Sequence, residues 1–229
     1  MLRVVVLFPE LLGTYGDSGN GLVLFERARR RGIEASLVSV GLHDAVPDAE
    51  IYLLGGGEDG PQRLACDLLT ASSFAQRIGD GAHVVAVCAG LQILGRSFCV
   101  EGNDEFPGLG VVDAVTRRGE RRSVGELAVT VGPHLLVGFE NHGGRTTLAP
   151  GLAPMGAVVS GRGNDGVIDG YRTERIWATY AHGPVLAMNP WLADEVLGGV
   201  LERELEPLQG AADLLYAQRC ALLSPRSRA

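Results

Sequence analysis

Short apolar runs rich in β-branched residues recur along this chain, with amphipathic stretches between them. Runs at 3–8, 33–40, 51–54 and 83–87 read as strands, bounded by glycine, proline and polar residues. Between the first two, Leu22, Val23, Phe25 and Ala28 alternate with Glu26, Arg27 and Arg29 to Arg31, which predicts a helix. Arginines in its last turn complement the helix dipole, Gly32 is the expected stop, and Asp17, Ser18 or Asn20 is the expected cap. A second helix is predicted over 61–78, with proline in its first turn. Strands alternating with helices in this way imply a parallel sheet with right-handed crossovers.

After Gly108 the pattern turns β-rich. Strands are predicted at 111–116, 126–131 and 135–139, followed by a glycine-rich loop over 138–146 and a glycine-rich surface turn over 160–166. A late strand at 176–180 and helices at 190–204 and 211–222 complete the chain. No repeat or low-complexity linker divides it, so one domain is expected over 1–222, with a disordered tail at 223–229.

The pattern breaks most sharply at Cys88. A β-branched run from His83 ends there, two small residues follow, and Leu91, Leu94 and Phe98 then fall at helical spacing over 90–98. A strand, a sharp turn and a helix would hold the thiol clear of the sheet edge, facing the first-turn N–H groups of the helix. Such donors activate a cysteine as a nucleophile; the alternative is a buried cysteine that ends a core strand. Gly55-Gly56-Gly57 follows the strand at 51–54, at the sheet edge where open parallel sheets bind ligands, and the alternative there is a flexible loop.

A cysteine nucleophile needs a base. His182 directly follows the late strand among small residues and is the best placed of five histidines, with His142 the competitor. The N–H of Ala89 and an N–H from Gly55 to Gly57, taken as Gly56, are the candidate oxyanion hole. These parts specify acyl transfer from an amide or ester through a thioester.

Composition narrows the classes. The chain has 229 residues, 33 glycines and a formal charge of −7, which argues against nucleic acid as its main partner. Arg117, Arg118, Arg121 and Arg122 form a local basic cluster, with a solvated face as the plain reading. No apolar run approaches the ~20 residues of a membrane helix, and no signal peptide is evident, so cytoplasmic residence is expected. Four cysteines without paired close spacing make a metal site improbable, and no cofactor is expected. All twenty basic residues are arginine. A P-loop or a pyridoxal-phosphate Schiff base cannot be built without lysine, so any ATP chemistry is expected on a second polypeptide.

The elbow Cys88-Ala89-Gly90-Leu91-Gln92 resembles the Cys-x-Gly-x-Gln signature of class I glutamine amidotransferases, with Tyr180-Ala181-His182-Gly183 as their histidine segment. Tyr15 to Asn20, Gly55 to Asp59, Gly138 to Thr146 and His182-Gly183-Pro184 narrow the resemblance to the cobyric-acid-synthase-like branch. Within it they look like the glutaminase subunits of two-chain amidoligases acting on the lipid II stem peptide. The resemblance implies a flavodoxin-like α/β fold, a mostly parallel central sheet flanked by helices with a β-rich extension. It makes Cys88 the nucleophile on the L-glutamine amide and His182 the proton shuttle.

By the same resemblance Arg122, or its neighbour Arg121, grips the glutamine α-carboxylate, and Gln92 lines the pocket. Ammonia would pass to a Mur-ligase-like, ATP-dependent partner in a heterodimer that amidates D-glutamate in peptidoglycan synthesis. Recruitment to the inner membrane face would come through the lipid-linked substrate. Many class I members carry a glutamate two residues after the histidine, where this chain has Pro184, so a Cys-His dyad is expected. Glu140, Asp59 or a backbone carbonyl is left to orient the ring. The alternatives are a stand-alone cysteine hydrolase or chaperone-like protein of related fold, and a non-catalytic binding subunit.

Overall fold

The computed structural model describes residues 1–99, 104–208 and 210–223. Its central sheet runs in the order β11-β12-β4-β3-β1-β2. The strands are β1 (Leu2–Leu7), β2 (Ala35–Val40), β3 (Ile51–Leu54), β4 (His83–Val87), β11 (Tyr171–Arg172) and β12 (Ile176–Thr179). All neighbours are parallel except β11, which pairs antiparallel with β12 at the edge. Strands β3 and β12 are buried throughout and β1 and β4 nearly so, which is why they read as continuous apolar runs and not as alternating ones.

Helices pack on this sheet. Helix α1 (Pro9–Leu12) is a single turn after β1, and α2 (Gly19–Arg30) buries Leu24 and Ala28 and stops before Gly32, whose φ of 71° a side chain would resist. The arginine rows on α2 do more than complement its dipole. Arg27 is buried and grips Asp194 of α7 (Pro190–Leu201) with Nε at 2.7 Å and Nη2 at 2.5 Å. The single helix expected over 61–78 is two, α3 (Asp59–Thr70) and α4 (Phe74–Gly79), because Ser72 and Ser73 divert the chain; Ser72 Oγ accepts the N–H of Phe74. Helix α5 (Ala89–Leu94) is also shorter than expected. Phe98 lies in β5 (Ser97–Cys99), not on the helix.

The β-rich part is a second sheet, β10-β9-β7-β5-β6, with β8 paired to β7. Strands β6 (Glu105–Pro107), β9 (Gly156–Ser160) and β10 (Ile168–Asp169) are short. In contrast, β7 (Ala114–Val131) and β8 (His134–Leu148) form one long antiparallel hairpin. The loop expected over 138–146 is therefore strand. Two of its glycines lie where neighbouring groups press on the backbone: a Cβ would meet Ala181 Cβ at 2.6 Å at Gly138 and Gln92 Nε2 at 2.7 Å at Gly144. The hairpin also reaches the central sheet: Phe139 and His182 exchange backbone hydrogen bonds of 3.1 and 2.8 Å.

Helices α6 (Val185–Met188) and α8 (Ala211–Leu223) finish the described chain. Of the tail expected at 223–229, Leu223 ends α8 and the rest lies outside the described residues. No helix among the described residues is long and apolar enough to cross a membrane.

Candidate active site

Four strands end at one edge, and each delivers a part. Strand β4 ends at Val87, so Cys88 stands between strand and helix with φ 51° and ψ −102°. A non-glycine residue held there stores about 1–3 kcal/mol of backbone strain, which the surrounding structure must offset. Two backbone bonds pin the turn: Cys88 N–H donates to Thr179 O at 3.0 Å, and Gly90 N–H donates to Gly55 O at 3.1 Å. The elbow is thus tied to β12 on one side and to the glycine loop after β3 on the other.

His182 arrives from β12 three residues past its end. Its Nδ1 lies 2.8 Å from Asp17 Oδ2, and both side chains are essentially buried. The same Asp17 oxygen accepts the Gly56 N–H at 2.9 Å. Nε2 of His182 is buried without a hydrogen-bond partner among the described residues. Burial disfavours a charged ring, but hydrogen bonding to Asp17 and the nearby Cys88 side chain outweigh it and push the imidazole up to about 10. Gly56 is required for this packing, because a Cβ there would fall 2.5 Å from His182 Cε1. The ring of Tyr15 closes the outer side, edge-on to His182 with centroids 4.8 Å apart.

The orienting group is therefore Asp17, and not Glu140, Asp59 or a carbonyl. Nor does Asp17 cap α2, whose N-cap residue is Ser18 with no side-chain cap bond. Glu140 is committed elsewhere: it accepts from Arg162 N at 2.7 Å and Gly163 N at 2.9 Å and sits 3.0 Å from His142 Nε2. His142 has both ring nitrogens engaged, with Gly144 O 3.0 Å from Nδ1, and stacks on Tyr180 at 3.7 Å. Burial pushes its imidazole below the ordinary value. His142 is thereby held as a wall of the cavity, with both ring nitrogens partnered, whereas His182 keeps Nε2 unpartnered. The signal for Asp17 was present in the polar turn after the first strand, but capping offered an adequate explanation for the residue there.

Beside the elbow lies a cavity of about 180 Å³, room for a ligand of amino-acid size. Cys88, Gln92, Gln62, Gly57, Arg122 and Asn141 are among its walls. Gln92 is held in place: Gln62 Nε2 donates to its Oε1 at 3.0 Å, and its own Nε2 donates to Tyr180 Oη at 3.3 Å. Arg122 reaches the same cavity from β7, where Nε donates to Asn141 Oδ1 and Nη2 to Asn141 O at 3.3 Å. Asn141 Nδ2 in turn donates to Tyr15 Oη. Arg121 does not line this cavity. Four residues of β7, from Gly119 to Arg122, oppose the single Gly143 of β8, and from this bulge Arg122 reaches the cavity while Arg121 does not.

One expected donor is corrected. The Gly56 N–H is spent on Asp17, so it is not free to meet an oxyanion. Gly57, next along, lines the cavity with Cys88, and its N–H has no acceptor among the described residues. Ala89 occupies the first position of α5, where an N–H has no partner within the helix. The site thus offers a sulfur on a strained elbow, an imidazole with one nitrogen anchored and one open, an uncommitted pair of N–H groups and a guanidinium. That set suits attack on an amide carbonyl of a ligand carrying a carboxylate.

Comparison with known proteins agrees with this chemistry. The CobB/CobQ-like glutamine amidotransferase domain matches residues 3–190. The chain is 31% identical over 217 residues to the Staphylococcus aureus lipid II isoglutaminyl synthase (glutamine-hydrolyzing) subunit GatD, covering 91% of this chain and 88% of that protein. It is 32% identical to the Streptococcus pneumoniae subunit of the same name, covering 89% of this chain and 82% of the relative. A crystal structure of a glutamine amidotransferase has the same fold, with a TM-score of 0.59 at 22% identity over 86% of this chain and 98% of that one. The chain, with its cysteine elbow and its histidine anchored on Asp17, belongs to the CobB/CobQ-like glutamine amidotransferase family.

Proposed function

We propose that this chain is the glutaminase subunit of a two-chain amidoligase, supplying ammonia for amidation of D-glutamate in the lipid II stem peptide. The observation that carries the reading is the Asp17–His182 pair beside Cys88 at the wall of a cavity that also receives Arg122. Support for the wider assignment comes from the two relatives, matched over most of their length. The lysine-free composition agrees with an ATP-using step on another polypeptide, a Mur-ligase-like partner that recruits the pair to its lipid-linked substrate.

The reaction follows from the placement of the groups. Glutamine enters with its α-carboxylate on the Arg122 guanidinium, whose fork matches a carboxylate bidentately. Cys88 Sγ attacks the side-chain amide carbon, and the carbonyl oxygen becomes negative between the N–H groups of Ala89 and Gly57. As the C–N bond breaks, His182 Nε2 gives its proton to the departing ammonia, leaving a thioester on Cys88. Water, deprotonated by the now neutral His182, attacks the thioester, and glutamate leaves. Asp17 keeps Nε2 aimed at the reacting atoms through both halves of the cycle, as a positioning residue.

The decisive experiment is co-purification with the candidate synthetase, followed by ammonia release from glutamine with and without that partner. Release abolished by Cys88→Ala, with the partner still amidating from free ammonium, is the expected result. Glutamine hydrolysis that survives Cys88→Ala would overturn the assignment, and amidation by this chain with no partner would overturn the division of labour.

A further inference from the structure

The arginine cluster near 117–122 takes part in the glutamine cavity only through Arg118 and Arg122, yet the fold gathers more of these cations than that cavity uses. On the side of the hairpin next to the cavity, Arg118, Arg121, Arg122, Arg145 and Arg162 line a second cleft of about 540 Å³. Arg118 lies 3.8 Å from Asp59 Oδ2, and the other four form no ion pair among the described residues. Two carboxylates also line the cleft, Glu120 and Asp165, and Asp165 Oδ1 is occupied by the N–H groups of Val167 and Ile168.

We infer that this cleft is a binding site for a diphosphate-bearing ligand. Converging guanidiniums repel one another, and that cost is reduced only when an anion joins them. Arg145 is set before any ligand arrives. Its Nη1 donates to Gly144 O at 2.7 Å, and its Nη2 donates to Arg121 O at 2.7 Å and Ser123 Oγ at 3.0 Å, which engages three of its five N–H donors. Room for it is made by Gly119, where a Cβ would fall 2.9–3.0 Å from its Cγ, Nε and Cζ. The remaining donors, with Arg121 and Arg162, form a charged wall that one carboxylate would leave largely uncompensated. A diphosphate brings several negative charges on oxygens matched to guanidinium forks, and the volume falls in the range of small-ligand sites. Burial and the nearby Arg162 both push the Arg145 guanidinium below its ordinary value, against the opposing pull of Tyr180 and Glu140.

Two carriers share this chemistry, a nucleoside diphosphate and a lipid-linked diphosphate. Because Arg122 borders both cavities, a bound diphosphate would also compete with glutamine for it; that consequence alone rests on the function proposed above.

The test is titration of the full chain with inorganic pyrophosphate, ADP and farnesyl diphosphate in ~50 mM salt, by calorimetry. Pyrophosphate binding that weakens at least tenfold in an Arg121→Gln/Arg162→Gln variant of unchanged thermal midpoint, and weakens with added salt, is expected. Arg29→Gln, a cation on the exposed face of α2, should bind as the parent does. Tighter binding of ADP or of farnesyl diphosphate would name the carrier. Parent and double variant binding within twofold of each other would overturn the site. So would orthophosphate binding as tightly as pyrophosphate, or an oligoglutamate peptide displacing pyrophosphate at lower concentration, which would mark a surface for an acidic segment.

Discussion

Asp17 Oδ2 lies 2.8 Å from His182 Nδ1 across 165 residues of sequence, and the same oxygen also holds the Gly56 N–H at 2.9 Å. One carboxylate thus fixes the imidazole and the glycine loop that shapes the other wall of the site. Asp17→Asn should lower kcat for glutamine hydrolysis by up to about 10⁴-fold, the loss seen when a carboxylate no longer holds a catalytic imidazole in its working tautomer. KM should change little. Steady-state ammonia release checks this, and an unaltered kcat would mean that Cys88 and His182 suffice.

The same pair carries a pH dependence. The imidazole is raised from 6.5 to about 10 in the folded protein, so the folded state holds the proton more tightly than the unfolded chain. Its stabilising contribution is complete below pH 6.5 and is lost as the pH rises to about 10. The thermal midpoint should therefore fall over that interval in the parent and fall less steeply in Asp17→Asn. Equal slopes would separate His182 from the pH response.

Cys88 sits at φ 51° to hold its sulfur off the sheet edge. Cys88→Gly and Cys88→Ala both remove the nucleophile, but only glycine relaxes the backbone. The glycine variant should be the more stable of the two by about 1 kcal/mol, or ~2–4 °C in thermal midpoint for a chain of this size. Calorimetry on the two inactive proteins measures the strain stored at the elbow, and a glycine variant less stable than alanine would argue against it.

Arg122 and Arg121 share the second cleft, but of the two only Arg122 also lines the cavity beside Cys88. Arg122→Ala should raise the glutamine KM by about 10- to 100-fold, as loss of a charge-assisted hydrogen bond of ~1.5–3 kcal/mol implies. Arg121→Ala should leave it within twofold. The reverse pattern would place the α-carboxylate elsewhere.

Gly56→Ala tests the close packing at the imidazole. With a Cβ 2.5 Å from His182 Cε1, the ring or the loop must shift. Glutamine hydrolysis should fall at least tenfold while the chain remains folded by circular dichroism, since ~1 Å of misplacement is costly in an active site.

By itself the sequence determined five of the six strands of the central sheet and the elbow at Cys88, because apolar runs and the glycine-rich turns after them are local signals, which the two-residue edge strand β11 lacks. It also placed His182 at that edge, since a histidine just past a strand end shares the edge with other strand ends. Its resemblance to glutamine amidotransferases singled out Arg122 and Gln92. Tertiary structure alone decided which acid serves the histidine: Asp17 reads as a helix cap until β1, β3 and β12 bring their ends together. The long hairpin was hidden for a related reason. The glycines of 138–144 look like a loop, whereas in the fold Gly138 and Gly144 let other chain segments press against a strand. The bulge from which Arg122, and not Arg121, reaches the cavity beside Cys88 is likewise a matter of register between β7 and β8, set by pairing partners that no local pattern encodes.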